Sequence, residues 1–300
     1  MSLILKNVTK KFGDHVAVNR LNLEIPEREL FGFLGGNGAG KTTTFRMILG
    51  LLDQTEGEIT WKGNELSYKS SHLVGYLPEE RGLYPKLKVK EQLVYLGKLR
   101  GMTAQKALEQ IDKWLDRFQI SHYLNQRVEE LSKGNQQKIQ FISSVIHEPE
   151  LLILDEPFSG LDPINVEMLK EAVIDLKNEG TTIVFSSHQM DHVEEMCEHL
   201  CILRTGNAVV KGNLIEIKRS FGKKNLMILA DQPLQFLQNE QGIIHYRNVI
   251  GGCHLQIEGE EVSQRIFQLL SERNIFVRKF DLEEPSLNDI FIEKVGESYE

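Results

Sequence analysis

Residues 35–43 read GGNGAGKTT, which spaces glycine, lysine and threonine as G-x-x-x-x-G-K-T from Gly35 to Thr42. Glycines at this spacing let successive backbone N–H groups converge on phosphate oxygens, and a helix beginning at Lys41 adds positive potential at the same point. Lys41 would reach the terminal phosphates of a nucleotide, and the Thr42 hydroxyl would coordinate Mg²⁺. The rest of the expected cradle is Gly35, Asn37, Gly38, Ala39, Gly40 and Thr43. A glycine-rich turn that only caps a helix needs neither the Lys-Thr pair nor a strand ending at Leu34, and both are here. A second stretch, LLILDEP at 151–157, puts two carboxylates at the end of an apolar run. Asp155 is suited to hold a hydrated Mg²⁺, and Glu156 to polarise an attacking water as general base. Acidic residues at strand ends are common. This pair gains weight only beside the phosphate loop, because the strand ends of a parallel sheet converge on one crevice.

Such a crevice needs particular elements. LILKNV, AVNRLNLEI and ELFGFL, within residues 3–34, alternate or run apolar and read as strands, and GEITWKG and LVGYL as two more. Between 88 and 147, VKEQLVYLGKLRG, AQKALEQIDKWLDRF and NQQKIQFISSVIHE carry helical spacing and form a helical block. LLILD and TTIVFSS then bracket INVEMLKEAVIDLKNEG, a helix ended by Gly180; two apolar strands around a helix predict a parallel sheet covered on both faces. A short helix over 189–198 and the strands HLCILR and NAVVKG complete this first domain, placed at 1–217. From 222 to 298 the texture changes: NLMILA strand, PLQFLQNE helix-like, IIHYRNVI and CHLQIEG a hairpin, EVSQRIFQLLSERN helix, IFVRKFDL strand, SLNDIFIEKV helix. That order is a split βαβ arrangement.

The bulk numbers exclude some classes. A net charge of −8 argues against a general nucleic-acid binder, although local basic clusters such as KLKVK (Lys86, Lys88 and Lys90) remain contact candidates. Three cysteines, an odd number, build no disulfide framework and fit a reducing compartment. The opening MSLILKNVTKKFG turns polar after four apolar residues, so no signal peptide is expected. No apolar run approaches the roughly 20 residues that cross a bilayer. The expected location is the cytoplasm, with any work at a membrane done through a partner.

With these segments in view, the chain resembles the ATP-binding subunits of ABC transporters over roughly residues 3–215. The resemblance implies an α/β fold, a P-loop NTPase cassette with a mixed sheet and a helical subdomain, followed by a small α+β domain. It also supplies roles. LSKGNQQK (131–138) stands where the family signature LSGGQ stands, with Leu131, Ser132 and Gly134 matching. SGLD (159–162) is similar to the D-loop, which makes Asp162 a link between two ATP sites. His188 is similar to the switch histidine that contacts the γ-phosphate. Phe12 stands where an aromatic stacks on adenine, and LPEERGLYPKLKV (77–89) corresponds to the Q-loop and the surface facing the membrane subunit. Three departures follow. Gly36 replaces a common proline; Glu79 replaces the glutamine that contacts Mg²⁺ and the water, remaining an oxygen ligand but adding negative charge; Lys133 and Asn135 replace a glycine and a glutamine in the signature.

The implied machine binds ATP and Mg²⁺, dimerises with a second copy or a paralogue so that each signature faces the other chain's Lys41, and powers a separate polytopic permease. The second domain is similar to the accessory domain of bacterial exporter-type subunits, including sodium-extrusion and drug or peptide resistance systems. Its ending EEPSLNDIFIEKV carries that likeness; dimer support or regulation is the role adopted for it. The chain is then peripheral on the inner face of the cell membrane, with no nucleic-acid partner. The competing reading is a soluble ABC ATPase acting on ribosomes or DNA, which usually carries two cassettes or long coiled-coil insertions; this chain carries one cassette and neither insertion nor basic linker. HQMDHVEEMCEH (188–199) offers metal-like residues but lacks H-E-x-x-H spacing, and a helix after a switch histidine explains it better.

Overall fold

LLILD and TIVFS are buried along their whole length, as strands covered on both faces must be. They belong to a computed structural model that describes residues 2–67, 70, 72–80 and 82–296. In chain order the first part contains β1 (Ser2–Phe12), β2 (His15–Pro26), β3 (Leu30–Gly35), α1 (Lys41–Ile48), β4 (Glu56–Trp61), β5 (Asn64–Glu65) and β6 (Val74–Leu77). The helical block follows as α2 (Val89–Leu99), α3 (Ala104–Arg117) and α4 (Lys133–Val145). Then come β7 (Leu151–Asp155), α5 (Pro163–Glu179), β8 (Thr182–Ser186), α6 (Met190–Met196), β9 (His199–Arg204) and β10 (Asn207–Asn213).

These strands form two sheets, β2-β1-β4-β5 and β10-β9-β3-β8-β7-β6. The first is antiparallel. In the second, β6, β7, β8, β3 and β9 run parallel, so β3, β7 and β8 deliver their carboxyl ends to one edge. One apolar cluster joins both sheets to α1: Leu5, Val18 and Ile59 from the antiparallel sheet meet Phe33, Ile153 and Val184 from the parallel one, with Phe45 between. The Phe33 and Phe45 ring centroids are 5.3 Å apart. This packing fixes α1, and therefore Lys41 and Thr42, relative to the carboxyl edge. The helical block has its own aromatic knot of Trp114, Phe118 and Phe141, with centroids 5.7–5.9 Å apart.

The chain divides into Met1–Lys211 and Gly212–Glu300. The second unit holds α7 (Leu214–Ser220), β11 (Lys224–Ala230), β12 (Ile243–Val249), β13 (Gly252–Ile257), α8 (Glu260–Glu272), β14 (Val277–Glu283) and α9 (Leu287–Val295). Helix α7, which straddles the end expected for the first domain at residue 217, clusters with the second unit; Asn213 caps it, accepting from the N–H groups of Ile215 and Glu216. The sheet order is β12-β13-β11-β14, every neighbour antiparallel, which is the split βαβ order. PLQFLQNE, expected as helix-like, forms a 3₁₀ turn over Gln235–Asn239. The segment is too short for an α-helix after Pro233, and Leu234 and Leu237, three apart, both reach the core. Val262, Ile266 and Leu270 of α8 cover the same core at four-residue spacing. Helix α9 starts at a capping box of Ser286 and Asp289. Asp289 also accepts from Asn225 of β11 at 2.8 Å, which fixes the helix to the sheet.

Among the described residues no helix is long and apolar enough to cross a membrane. Cys197, Cys201 and Cys253 are buried and unbonded to one another; burial pushes the Cys201 thiol up to about 12 and that of Cys253 to about 11, so they behave as core residues.

Candidate nucleotide site

The loop after β3 is shaped by where glycine is required. Gly40 caps α1 at φ +106°, and a Cβ there would lie 2.6 Å from the Ala17 carbonyl oxygen of β2. The loop closes on itself through Ala39 N–H to Gly36 C=O at 3.1 Å. Its outer side is tied to the strand β10 turn by Gly206 N–H to Ala39 C=O at 3.0 Å. Lys41 is 8% exposed, and its ammonium donates to the carbonyls of Gly35 at 2.6 Å and Gly36 at 3.3 Å. Burial lowers its pKa, while Glu156, Asp155 and Glu79 oppose that and hold the charge.

The two carboxylates emerge from the end of β7. Asp155 accepts from the Thr42 hydroxyl at 3.0 Å on Oδ2 and from the Ser186 hydroxyl at 2.7 Å on Oδ1. Ser186 ends β8, directly opposite Asp155 in register, and its oxygen also accepts from the Glu156 N–H at 3.1 Å. Glu156 has φ +52°, a left-handed conformation that costs a side-chain-bearing residue about 1–3 kcal/mol unless its surroundings hold it. Here Ser186 holds the N–H on one side and His188 the carboxylate on the other. Glu156 Oε2 accepts from the His188 N–H at 3.1 Å, and Oε1 lies 3.3 Å from His188 Nε2 within ion-pair distance, though without hydrogen-bond alignment. Burial raises the Glu156 pKa above the ordinary carboxylate value; His188 and Lys41 pull it back. A carboxylate moved toward neutrality is a better proton acceptor at working pH. Burial, with Asp155 beside it, pushes the nearby Tyr76 phenol up to about 12.

Ser186 was not among the residues expected from sequence. Its position is informative only once the register pairs it with Asp155. Ser186→Ala removes a donor from Asp155 and strands the buried Glu156 N–H, which costs about 1–3 kcal/mol. Steady-state ATP hydrolysis should fall about tenfold, and Ser186→Thr, which keeps the hydroxyl, should retain most of it. An alanine variant with unchanged turnover would show that Ser186 does not orient the pair.

Phe12, His15, Ala17, residues 36–43, Glu79, Asp155, Glu156 and His188 line one cavity of about 380 Å³. Phe12 is half exposed at the end of the β1–β2 hairpin, paired in register with His15. Lys10 lies 5.1 Å from the centroid of its ring. His15 and Ala17 were not singled out in the sequence; the pairing of β1 with β2 is what brings them here. Gly35 contributes from behind the cavity through its carbonyl on Lys41. The Thr42 hydroxyl and Asp155 carboxylate, 3.0 Å apart with Glu79 lining the same cavity, are hard oxygen donors of the number Mg²⁺ takes when phosphates and waters complete its shell. The donor set fits that cation.

Ser132, Gly134 and Asp162 do not line this cavity. They lie at the starts of two helices instead. Ser132 caps α4, accepting from the Asn135 N–H at 3.3 Å, and Asp162 caps α5, accepting from the Asn165 N–H at 3.1 Å. Hydrogen bonds from Asn165 hold the Asp162 pKa below its ordinary value. A Cβ on Gly134 would lie 2.9 Å from the Asn165 amide, so the two caps sit side by side. Ser132, Lys133 and Asp162 are exposed. Behind the cap, Gln137 is buried and donates to the Pro157 carbonyl at 3.1 Å, linking α4 to the segment after Glu156. His192, in the stretch with metal-like residues, packs its ring edge-on against Phe158, centroids 5.0 Å apart.

A family model described as ABC transporter matches residues 18–159, and one described as ATP-binding protein DrrA1-3-like, C-terminal domain, matches residues 212–295. An uncharacterized ABC transporter ATP-binding protein of Bacillus subtilis, YhaQ, is 63% identical, over 99% of this chain and 100% of its own length. The bacitracin transport ATP-binding protein BcrA of Bacillus licheniformis is 31% identical, over 99% of this chain and 98% of its own. A solved structure of an ATP-binding subunit of an ABC transporter matches with a TM-score of 0.69 at 29% identity, covering 74% of this chain and 94% of that one.

Proposed function

Because this chain belongs to the ATP-binding subunits of ABC transporters, we propose that it hydrolyses Mg²⁺–ATP in the cavity around residues 36–43 as one half of a head-to-tail dimer that drives a separate export permease. Family membership makes it an ATP hydrolase of the transport-coupled class; the residue roles, the metal, the dimer and the direction of transport are the proposal.

Lys41 and the loop N–H groups receive the terminal phosphates, and the exposed ring of Phe12 offers a face to the adenine. Thr42 and Asp155, with Glu79 beside them, would hold Mg²⁺, whose charge offsets that of the β- and γ-phosphates. Glu156 accepts the proton of the attacking water, and His188, held against it, faces the γ-phosphate. The observation that carries the dimer is the division of the groups. The loop, the carboxylates and His188 share one cavity, while exposed Ser132 and Asp162 cap two helices outside it, with Gly134 in the first turn of one of them. The N-terminus of α4 is suited to an anion, and a second chain's nucleotide supplies one. Lys133, exposed at the first position of α4, adds positive charge there. Export is supported by the likeness of about 70% of the chain to subunits named for Nod factor and lipopolysaccharide export, and of 97% of it to a linearmycin resistance subunit.

The test is capture of the full-length chain at native expression from detergent-solubilised membranes. A polytopic membrane protein in stoichiometric amount is expected; recovery with ribosomes or DNA and no membrane protein would overturn the permease assignment in favour of a soluble ABC ATPase.

A further inference from the structure

The loop that carries Glu79 is held from an unexpected direction. Gln140 lies on α4 and is 3% exposed. Its side-chain amide donates to the Pro78 carbonyl and to the Glu80 carbonyl, both at 3.1 Å. Carbonyls only accept, so the NH₂ group must face them, and each of its two hydrogens has one partner. Residues 78–80 belong to no strand or helix, so a side chain supplies what a ladder would otherwise supply. Further along, Gln92 of α2, fully buried, accepts from the Tyr84 N–H at 2.5 Å. The loop is thus anchored at 78, 80 and 84; Arg81 lies outside the described residues. Glu79 stands between the first two anchors, and its side chain lines the nucleotide cavity.

We infer that Gln140 is a positioning residue for Glu79, acting through the backbone carbonyls on either side of it. The inference rests on the reading of the cavity as an ATP–Mg²⁺ site. A purely structural glutamine would have no reason to straddle one residue that faces that cavity. A carboxylate at this place, where an amide is usual, makes the demand on position greater. An ionised group displaced by about 1 Å near a polyphosphate changes both repulsion and metal geometry. Burial of an amide is costly unless hydrogen-bonded; Gln140 Oε1 is buried without a partner among the described residues, so the two N–H bonds alone offset that cost, and they hold the backbone on both sides of Glu79.

The test is a double-mutant cycle in the full chain, read by steady-state ATP hydrolysis. Gln140→Met keeps length and helix propensity while removing the donor, and should lower kcat about tenfold while changing the KM for ATP less than about twofold. In a Glu79→Ala background the same substitution should change kcat less than about twofold. Gln140→Glu, similar in size and able to fold where Met disturbs packing, should repeat the pattern. Additive losses in the cycle overturn the inference, as does a Glu79→Ala variant as active as wild type, since there would then be nothing to position. A wild-type chain without ATPase activity would instead refute the reading of the cavity, which keeps the two failures apart.

Discussion

Glu156→Gln should suppress ATP turnover by about 10³-fold while leaving ATP affinity nearly unchanged, within the range a positioned general base contributes. The substitution keeps the shape of the side chain. Its amide oxygen can still accept from the His188 N–H, the bond that Oε2 now makes at 3.1 Å. The backbone at φ +52° is neither strained further nor relieved, and the Ser186 hydroxyl still holds the N–H. What is lost is the basic lone pair that burial has moved toward neutral pH. With binding intact and hydrolysis blocked, the ATP-bound form should accumulate as a closed dimer. Turnover by phosphate release, affinity by nucleotide titration and mass by light scattering check the three parts separately. Wild-type turnover in this variant would remove Glu156 from the role of base.

Gly40→Ala should have a comparable effect on a different quantity, nucleotide affinity, which is expected to fall at least about 100-fold. Two independent costs meet at this residue. At φ +106° a side chain costs about 1–3 kcal/mol. The added Cβ would also sit 2.6 Å from the Ala17 carbonyl oxygen, a backbone atom rather than the end of a flexible side chain. That carbonyl cannot withdraw freely, because a Cβ on Gly206 would approach it to 2.8 Å from another side, so the two turns already crowd it. The loop would have to move, carrying Lys41 and Thr42 away from Asp155. Gly38→Ala is the internal control: its φ of +74° is also left-handed, but an added Cβ meets nothing beyond its chain neighbours within 4 Å, so the clash with β2 is absent and the loss should be about tenfold smaller. Equal affinities for wild type and Gly40→Ala would show that the contact with β2 does not shape the loop.

The parts of the site that are legible in the sequence are those written in consecutive residues. GGNGAGKTT and LLILDEP each contain a strand end and its chemistry within nine residues, and the buried strands β7 and β8 announce themselves by having no polar face. Glu156 could be proposed from its neighbour; its positive φ could not, since that depends on bonds from Ser186 and His188, some 30 residues away in the chain. Ser186, His15 and Ala17 were hidden for the same reason, because strand register brings them to the cavity and register is not local. The division of the first unit into one antiparallel sheet and a second sheet with five parallel strands was equally out of reach, as alternation in β1 and β4 identifies a strand but not its neighbours. In the second unit the strand order was readable from element order, while the 3₁₀ turn at 235–239 was not. Leu234 and Leu237 suit either helix type, and the short distance between Pro233 and Gly242 decides.

Helix α4 has a consequence that reaches beyond either cavity alone. In the proposed dimer its N-cap, Ser132, would face a neighbouring chain's nucleotide, while one turn further on Gln137 grips the Pro157 carbonyl beside its own chain's Glu156. A rod that touches two active centres cannot report on one without leaning on the other. In that arrangement a first nucleotide would lower the reorganisation left for the second, by the same amount in either order. For such a pair the dose–response to ATP should be steeper than a single-site hyperbola, and a hyperbolic response in the dimer would show that α4 does not couple the two centres.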